Sequence, residues 1–238
     1  MYNFTNRVVI ITGAMGELGM AVTLGFHKAG AQITCVDKAR DRLSQVFAEH
    51  LRSSDHFFAN CIDSNDPISM QGMVAETIHR FGRLDVLVNT VGGFRSGTPV
   101  HETPLETWDL MMNLNARSAF ISSQAVLPQM LKQGSGAILH IAARPGLAGK
   151  ADMAAYSASK SAVIRLTESM AAEYREAGIR VNCIIPGTID TPRNRRDTPN
   201  ADLRRWVKPA SLAEVILFLA SDSARDISGV ALPVYGRS

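Results

Sequence analysis

The sequence predicts a doubly wound α/β fold: a mostly parallel, seven-stranded sheet with helices on both faces, in one domain spanning residues 1–238. Three observations predict it. Short apolar runs alternate with helical patterns along the whole chain, as in parallel sheets built from β-α-β units. A glycine-rich turn, Thr12 to Gly19, joins the first run to the first helix. The length of 238 residues, with 46% hydrophobic and 20% charged residues, suits one large core with no linker, repeat or low-complexity tract.

The elements follow in order. Arg7 to Ile11 reads as a buried strand ending at Thr12-Gly13, and Glu17 to Ala29 as a helix closed by Gly30. Gln32 to Val36 is a second strand ending at Asp37, Ala39 to Leu51 a polar-faced helix, and His56 to Ala59 a short third strand. Asp66 to Phe81 is a helix with Pro67 in its first turn and Gly82 beyond its end, followed by a fourth strand, Leu84 to Val88. Thr107 to about Gln133 reads as helix despite Pro128, Ala137 to Ile141 as strand five, and Asp152 to Ala177 as a long helix. Arg180 to Ile185 is strand six, ended by Pro186-Gly187. The proline-punctuated stretch Asp190 to Pro209 is too long for a simple connection, and such loops are usually functional. Ser211 to Ala220 is the last helix and Val230 to Val234 the last strand.

Composition excludes several function classes. A net charge of +3 argues for neither a nucleic-acid nor a membrane partner. No segment approaches 18 uninterrupted apolar residues, and the N-terminal stretch lacks the apolar region of a signal peptide. Cys35, Cys61 and Cys183 are odd in number and lie in or beside apolar segments, which predicts buried thiols in a reducing, cytoplasmic setting. The six histidines show no metal-ligand spacing, so no metal site is expected, and His140 reads as a strand histidine.

Chemistry concentrates in a few places. Tyr156 and Lys160 lie four apart, which on a helix puts them on one face, one turn apart. A free phenol has a pKa of about 10. A neighbouring ammonium favours the phenolate, making the pair an acid/base unit near neutrality. Such pairs also fall by chance on solvated helix faces, so the rest of the chain has to support the reading. The glycine turn between strand one and its helix permits close approach of a pyrophosphate to a helix N-terminus. Asp37, at the end of strand two, can accept the two ribose hydroxyls of NAD and would repel the 2′-phosphate of NADP, while Lys38 and Arg40 soften that preference. The plainer alternative for Asp37 is a helix cap. Ligand is expected beyond the carboxyl ends of the strands, at the crossover between strands one and four.

Taken together, the glycine turn, Asp37, Asn89-Thr90-Val91-Gly92, Asn115, Tyr156 with Lys160, and Pro186-Gly187 with Thr191 resemble, in order and spacing, the short-chain dehydrogenase/reductase family. The resemblance covers essentially the whole chain and implies a Rossmann fold and an NAD(P)-dependent oxidoreductase of small molecules. It implies that Gly13, Met15, Gly16, Glu17, Leu18 and Gly19 form the pyrophosphate turn. Asp63 would hold the adenine edge, or else act as a turn residue. Asn89, Gly92, Pro186 and Gly187 would support the cofactor, and Ile189 and Thr191 would contact the nicotinamide side. Lys160 would bind the nicotinamide ribose and lower the Tyr156 pKa, and Asn115 would help a water relay reach Lys160, or else be an ordinary polar kink in its helix. It further implies a homodimer or homotetramer built on the helices around 105–132 and 152–177.

The departures shape the expected chemistry. Glu17 stands where the family places its middle glycine, so the carboxylate should be held away from the pyrophosphate or the turn shifted. Ala143 stands thirteen residues before Tyr156, where the family places a serine that binds the substrate carbonyl. Losing one such donor costs about 3–4 kcal/mol, or roughly a hundred to a thousandfold in rate. The chain is then either a cofactor-binding regulator or an enzyme whose substrate needs no such donor. Asp190-Thr191-Pro192-Arg193-Asn194-Arg195, Pro199 to Asp202, Trp206 and Gly92-Gly93-Phe94 resemble the dihydropteridine reductase-like branch of the family, which is also alanine-like at that position and uses NADH. This implies a conjugated, quinonoid dihydropteridine-like substrate protonated by Tyr156, with Phe94 and Trp206 either walling a flat ring or merely packing. The arginines at 193, 195, 196, 204 and 205 read as a solvated loop rather than an anion site.

Overall fold

The computed structural model describes residues 2–40, 42–51 and 55–237. Its centre is a seven-stranded, wholly parallel sheet in the order β3-β2-β1-β4-β5-β6-β7. The strands are β1 (Val8–Thr12), β2 (Gln32–Val36), β3 (Phe57–Ala59), β4 (Val86–Asn89), β5 (Gly136–Ile141), β6 (Ile179–Pro186) and β7 (Ala231–Val234). The chain reverses its winding between β1 and β4, so the carboxyl ends of these two strands flank the crevice where such sheets bind ligands.

The apolar runs are buried on both faces because helices cover both. Val9, Ile11 and Ile33 point to one side, where they pack in a cluster with Phe26 of α1 (Glu17–Lys28) and Leu212, Ile216 and Leu217 of α8 (Pro209–Ala220). Val8, Ile10, Leu87 and Ile138 point to the other, against Met70 and Val74 of α3 (Pro67–Phe81) and Val126 and Met130 of α5 (Ser118–Gln133). The same face carries α6 (Ala154–Glu173), which brings Met170 and Ala171 to that cluster. Helix boundaries follow local chemistry. Asp66 caps α3 by accepting from the Ile68 N–H, Pro67 occupies its first turn, and Gly82 ends it at φ 76°.

Several expectations need correction. The helix expected over Ala39 to Leu51 is only α2 (Leu43–Val46), and Asp41 within that range lies outside the described residues. Residues 42–51 instead fold as a compact turn that buries Leu43, Phe47 and Leu51. The segment expected as helix from Thr107 to about Gln133 is helical throughout, but starts at Leu105 and contains a π-helical turn: α4 (Leu105–Met111), the π turn over Met112–Arg117, and α5. The Asp190 to Pro209 stretch contains α7 (Pro192–Asp197) and a 3₁₀ turn at Leu203–Arg205. Cys61 is exposed, unlike Cys35 and Cys183.

At the other end of the sheet, by the amino ends of β4 to β6, lies a groove of about 630 Å³ lined by Arg7, Asp85 and Arg180 among others. Its charges are spent on the fold: Asp85 accepts from Arg7, Arg83 and the Val8 N–H. Arg180 donates to the carbonyls of Leu219, Ser221 and Ile227. Among the described residues, no helix is long and apolar enough to cross a membrane.

His140 in β5 is fully enclosed; its Nε2 lies 3.3 Å from Ser123 Oγ, and its Nδ1 has no partner among the described residues. Burial, helped by the Lys160 ammonium, pushes its pKa down to about 4. The unfolded chain therefore takes up a proton near pH 6.5 that the folded chain refuses until about pH 4. Stability is lost as pH falls through that window. His56, also lowered by burial, adds to the loss. In His140→Asn, urea midpoints between pH 7 and 4 are expected to fall less steeply than in the wild type; an unchanged slope would show that His140 contributes nothing.

Candidate active site

The site is assembled around β4 and β5 by three connections. Beyond β4 the chain runs through Gly92, Gly93 and Phe94, and the π-helical turn brings Asn115 against it. The Asn115 side chain accepts from the Gly93 N–H (3.0 Å) and donates to the Gly93 carbonyl (3.1 Å) and to Ser159 Oγ (3.0 Å) on α6. One buried amide thus ties the β4 loop to α6. A wide turn of this kind inside a helix is often found at functional sites. Ser159, missed in the sequence, is one helical position from Lys160.

Lys160 is buried and donates from Nζ to the Ile141 carbonyl at the end of β5 (2.7 Å). Burial pushes its pKa down to about 8, so the ammonium remains charged at neutrality. Tyr156, one turn earlier, packs the edge of its ring against Phe94, with centroids 4.8 Å apart at 87°. Burial pushes its phenol up to about 12, with no lowering by Lys160. The depression of the Tyr156 pKa expected from Lys160 is not found: loss of hydration sets the direction of the shift. Ala143, extended at φ −160° and buried, follows β5 and brings no hydroxyl to this corner. Trp206 is half-buried beyond the 3₁₀ turn, and among the described residues no ring contact joins it to Phe94 or Tyr156.

The residues fit a nicotinamide dinucleotide. A Cβ on Gly92 would lie 3.0 Å from Asn115 Oδ1 and 3.4 Å from Lys160 Nζ, so only glycine leaves this floor open. A Cβ on Gly19 would lie 2.2 Å from the Gly13 carbonyl, so glycine there lets α1 start tight against the turn. Gly13 itself adopts φ 67°. Asn89 and Thr12 hydrogen-bond side chain to side chain, locking the ends of β4 and β1 together. Thr90 Oγ1 donates to the Thr12 carbonyl (2.7 Å).

Asp37 is fixed at the end of β2 by the N–H groups of Ala39 (3.0 Å) and Met15 (3.2 Å). Lys38 turns away from it to Asp63 (2.7 Å), which also accepts from the Asn65 N–H. The Lys38 ammonium holds the Asp63 carboxyl below the usual range.

Glu17 is the first residue of α1, exposed, while the Gly16 N–H donates to the Gly13 carbonyl (3.0 Å). A cleft of about 430 Å³ brings together Gly16, Glu17, Leu18 and Gly19 with Thr90, Ile189 and Thr191. Arg193 and Arg196 of α7, read from the sequence as part of a solvated loop rather than an anion site, line the same cleft, because nothing in their spacing tells which loop arginines face it. Pro186 and Gly187 lie at the end of β6, where the Gly187 N–H donates to the Val234 carbonyl. No cluster of three His, Cys, Asp or Glu side chains is placed to hold a metal among the described residues.

Comparison with known proteins agrees with this geometry. The short chain dehydrogenase family profile matches residues 7–202. The chain is 34% identical to 2-(R)-hydroxypropyl-CoM dehydrogenase of Xanthobacter autotrophicus over 97% of this chain and 98% of that one. It is also 34% identical to meso-2,3-butanediol dehydrogenase of Serratia marcescens, over 98% of this chain and 94% of the other. The crystal structure of an NAD+-bound xylitol dehydrogenase superposes with a TM-score of 0.89 at 27% identity, covering 98% and 99% of the two chains. The protein belongs to the short-chain dehydrogenase/reductase family and is an oxidoreductase of that fold.

Proposed function

We propose that the protein transfers hydride between NAD(H) and a small molecule, with Tyr156 as acid/base, Lys160 and Asn115 as its supports, and a homodimer or homotetramer as the working form. The observation that carries this reading is the convergence of Tyr156, Lys160, Asn115 and Gly92 at the carboxyl ends of β4 and β5. The bound nicotinamide supplies or accepts the hydride. Tyr156 holds its proton at neutrality and would deliver it to the substrate atom that gains charge. Lys160, anchored on the Ile141 carbonyl, would contact the ribose of a bound cofactor and supply the positive charge that favours a phenolate one helical turn away. Asn115 keeps the Gly93 backbone fixed and presents the route by which a proton returns to Lys160.

Asp37 supports NAD over NADP. Both its oxygens are oriented by backbone N–H groups, and Lys38, the nearest cation in sequence, is engaged by Asp63. Gly13, Gly16 and Gly19 would shape the pyrophosphate turn, with Ile189 and Thr191 across the cleft. The exposed apolar residues Leu105 (69%), Trp108 (42%) and Phe120 (51%) on α4 and α5 support the oligomer. Three free cysteines support a reducing, cytoplasmic setting.

For the substrate, Ala143 favours a compound that needs no serine donor: a quinonoid dihydropteridine-like ring or another conjugated acceptor, with Phe94 beside Tyr156 as one wall. The relatives named for hydroxypropyl-CoM and butanediol keep an alcohol–carbonyl couple in view. A second reading, an NAD-binding regulator with little turnover, rests on the same Ala143.

Three measurements test this reading. Tyr156→Phe is expected to lower turnover by about a hundred to ten-thousandfold while NADH affinity stays constant; undiminished turnover would remove Tyr156 from the chemistry. Asp37→Ser is expected to shift the ratio of kcat/KM for NADH over NADPH toward NADPH by at least about tenfold, the factor that follows from about 1.4 kcal/mol of lost discrimination; an unchanged ratio would place cofactor choice elsewhere. NADH oxidation with quinonoid dihydropterin beside a ketone panel, in wild type and Ala143→Ser, separates the substrates. Pterin turnover that Ala143→Ser leaves unchanged supports the conjugated substrate. Ketone turnover only in Ala143→Ser assigns the loss of carbonyl chemistry to Ala143. NADH binding with no turnover in either supports the regulator.

A further inference from the structure

The five arginines between 193 and 205 are not equivalent. Arg195 is bound in a two-pronged ion pair to Asp190 (2.6 and 2.8 Å). Arg204 is bound in the same way to Asp202 (2.9 and 3.0 Å), and Arg205 donates to the Arg237 carbonyl. Arg195 and Arg204 hold the loop to itself, and Arg205 ties it to the C-terminal segment. Arg193 and Arg196 are different. They lie three apart on α7, on one face, and both line the cleft opposite Gly16 and Glu17. Arg193 has only a long contact with exposed Asp197 (3.6 Å), and no ion pair or hydrogen bond joins Arg196 to another described residue. The backbone beneath them is firmly placed. Thr191 Oγ1 accepts from the Asn194 N–H, Asn194 donates to the Ile189 carbonyl, and the Asp190 N–H donates to the Val207 carbonyl.

The cleft also explains why Glu17 is tolerated. A dinucleotide pyrophosphate carries two negative charges, and a carboxylate at the start of α1 adds a third beside it. The helix N-terminus offers only about half a positive charge in return. Two guanidinium groups on the facing wall restore the balance, and their planar donors match phosphate oxygens.

We propose that Arg193 and Arg196 grip the pyrophosphate of the nicotinamide dinucleotide from α7, and that this grip offsets the acidic Glu17 at the glycine turn. The inference rests on the nicotinamide reading above and adds to it a second wall of the cofactor site, drawn from the loop that covers the substrate side. A consequence is that cofactor binding ties α7 down over the cleft.

Direct binding tests it, using NADH, ADP-ribose (which keeps the pyrophosphate and lacks nicotinamide) and adenosine (which lacks both), with the wild type and with Arg193→Gln, Arg196→Gln and the double variant. Each single change is expected to weaken NADH and ADP-ribose by about tenfold, the loss of one charge-assisted contact. The double variant is expected to weaken them further and to flatten the salt dependence of binding, with adenosine affinity unchanged throughout. Arg204→Gln, confined to its own loop pair, should bind as the wild type does. Glu17→Gln in the double variant should recover several-fold. NADH and ADP-ribose affinities unchanged in the double variant would overturn the grip, as would an equal loss for adenosine, which would mark a collapsed loop instead. A wild type that binds neither NADH nor ADP-ribose would overturn the nicotinamide reading itself and the grip with it.

Discussion

The structure around the site depends on one buried amide. Asn115 uses its oxygen and both amide hydrogens on Gly93 and Ser159. Those contacts fix the distance between the loop after β4 and helix α6. If the amide were lost, the Gly93 N–H and carbonyl would be left unpaired in a half-buried place, at a cost of about 1–3 kcal/mol each. The π-helical turn is the backbone's accommodation to this: one wide turn places Asn115 inward without breaking the helix that continues into α5. Tyr156 and Lys160 sit on the helix that Asn115 holds through Ser159, so that amide helps set where both side chains lie.

The second constraint is electrostatic. Lys160 is taken out of water and given one carbonyl, which brings its pKa down to about 8 without discharging it at neutrality. His140 lies close enough to feel this charge and is itself kept neutral by burial. Among the described residues no carboxylate forms an ion pair with Lys160, so its charge is not spent on a salt bridge.

On the cofactor side the acids and bases are sorted by geometry. Asp37 is held at the end of β2 by two backbone N–H groups, while Lys38 is drawn off by Asp63. In the α7 loop, acids consume Arg195 and Arg204 and leave Arg193 and Arg196 facing the glycine turn. A loop that is simply basic in composition thus presents a directed pair of cations.

The sequence by itself determined the doubly wound fold class, the crossover between strands one and four, and the placing of Tyr156 and Lys160 on one helix. Each of these is carried by local periodicity or by collinear motifs: apolar runs for strands, Pro67 and Gly82 for the limits of α3, Tyr156 and Lys160 one turn apart. It misjudged the segment from Ala39 to Leu51, where Leu43, Phe47 and Leu51 satisfy a helical pattern yet are buried mostly by a turn, and it gave no sign of the π-helical turn inside the helix ending near Gln133. Only tertiary structure decided that Ser159 completes the Asn115 contacts, that burial raises the Tyr156 phenol, and which loop arginines line the cleft. Each of these depends on residues far apart in the chain or on how much water a side chain loses, and neither quantity is written in local sequence.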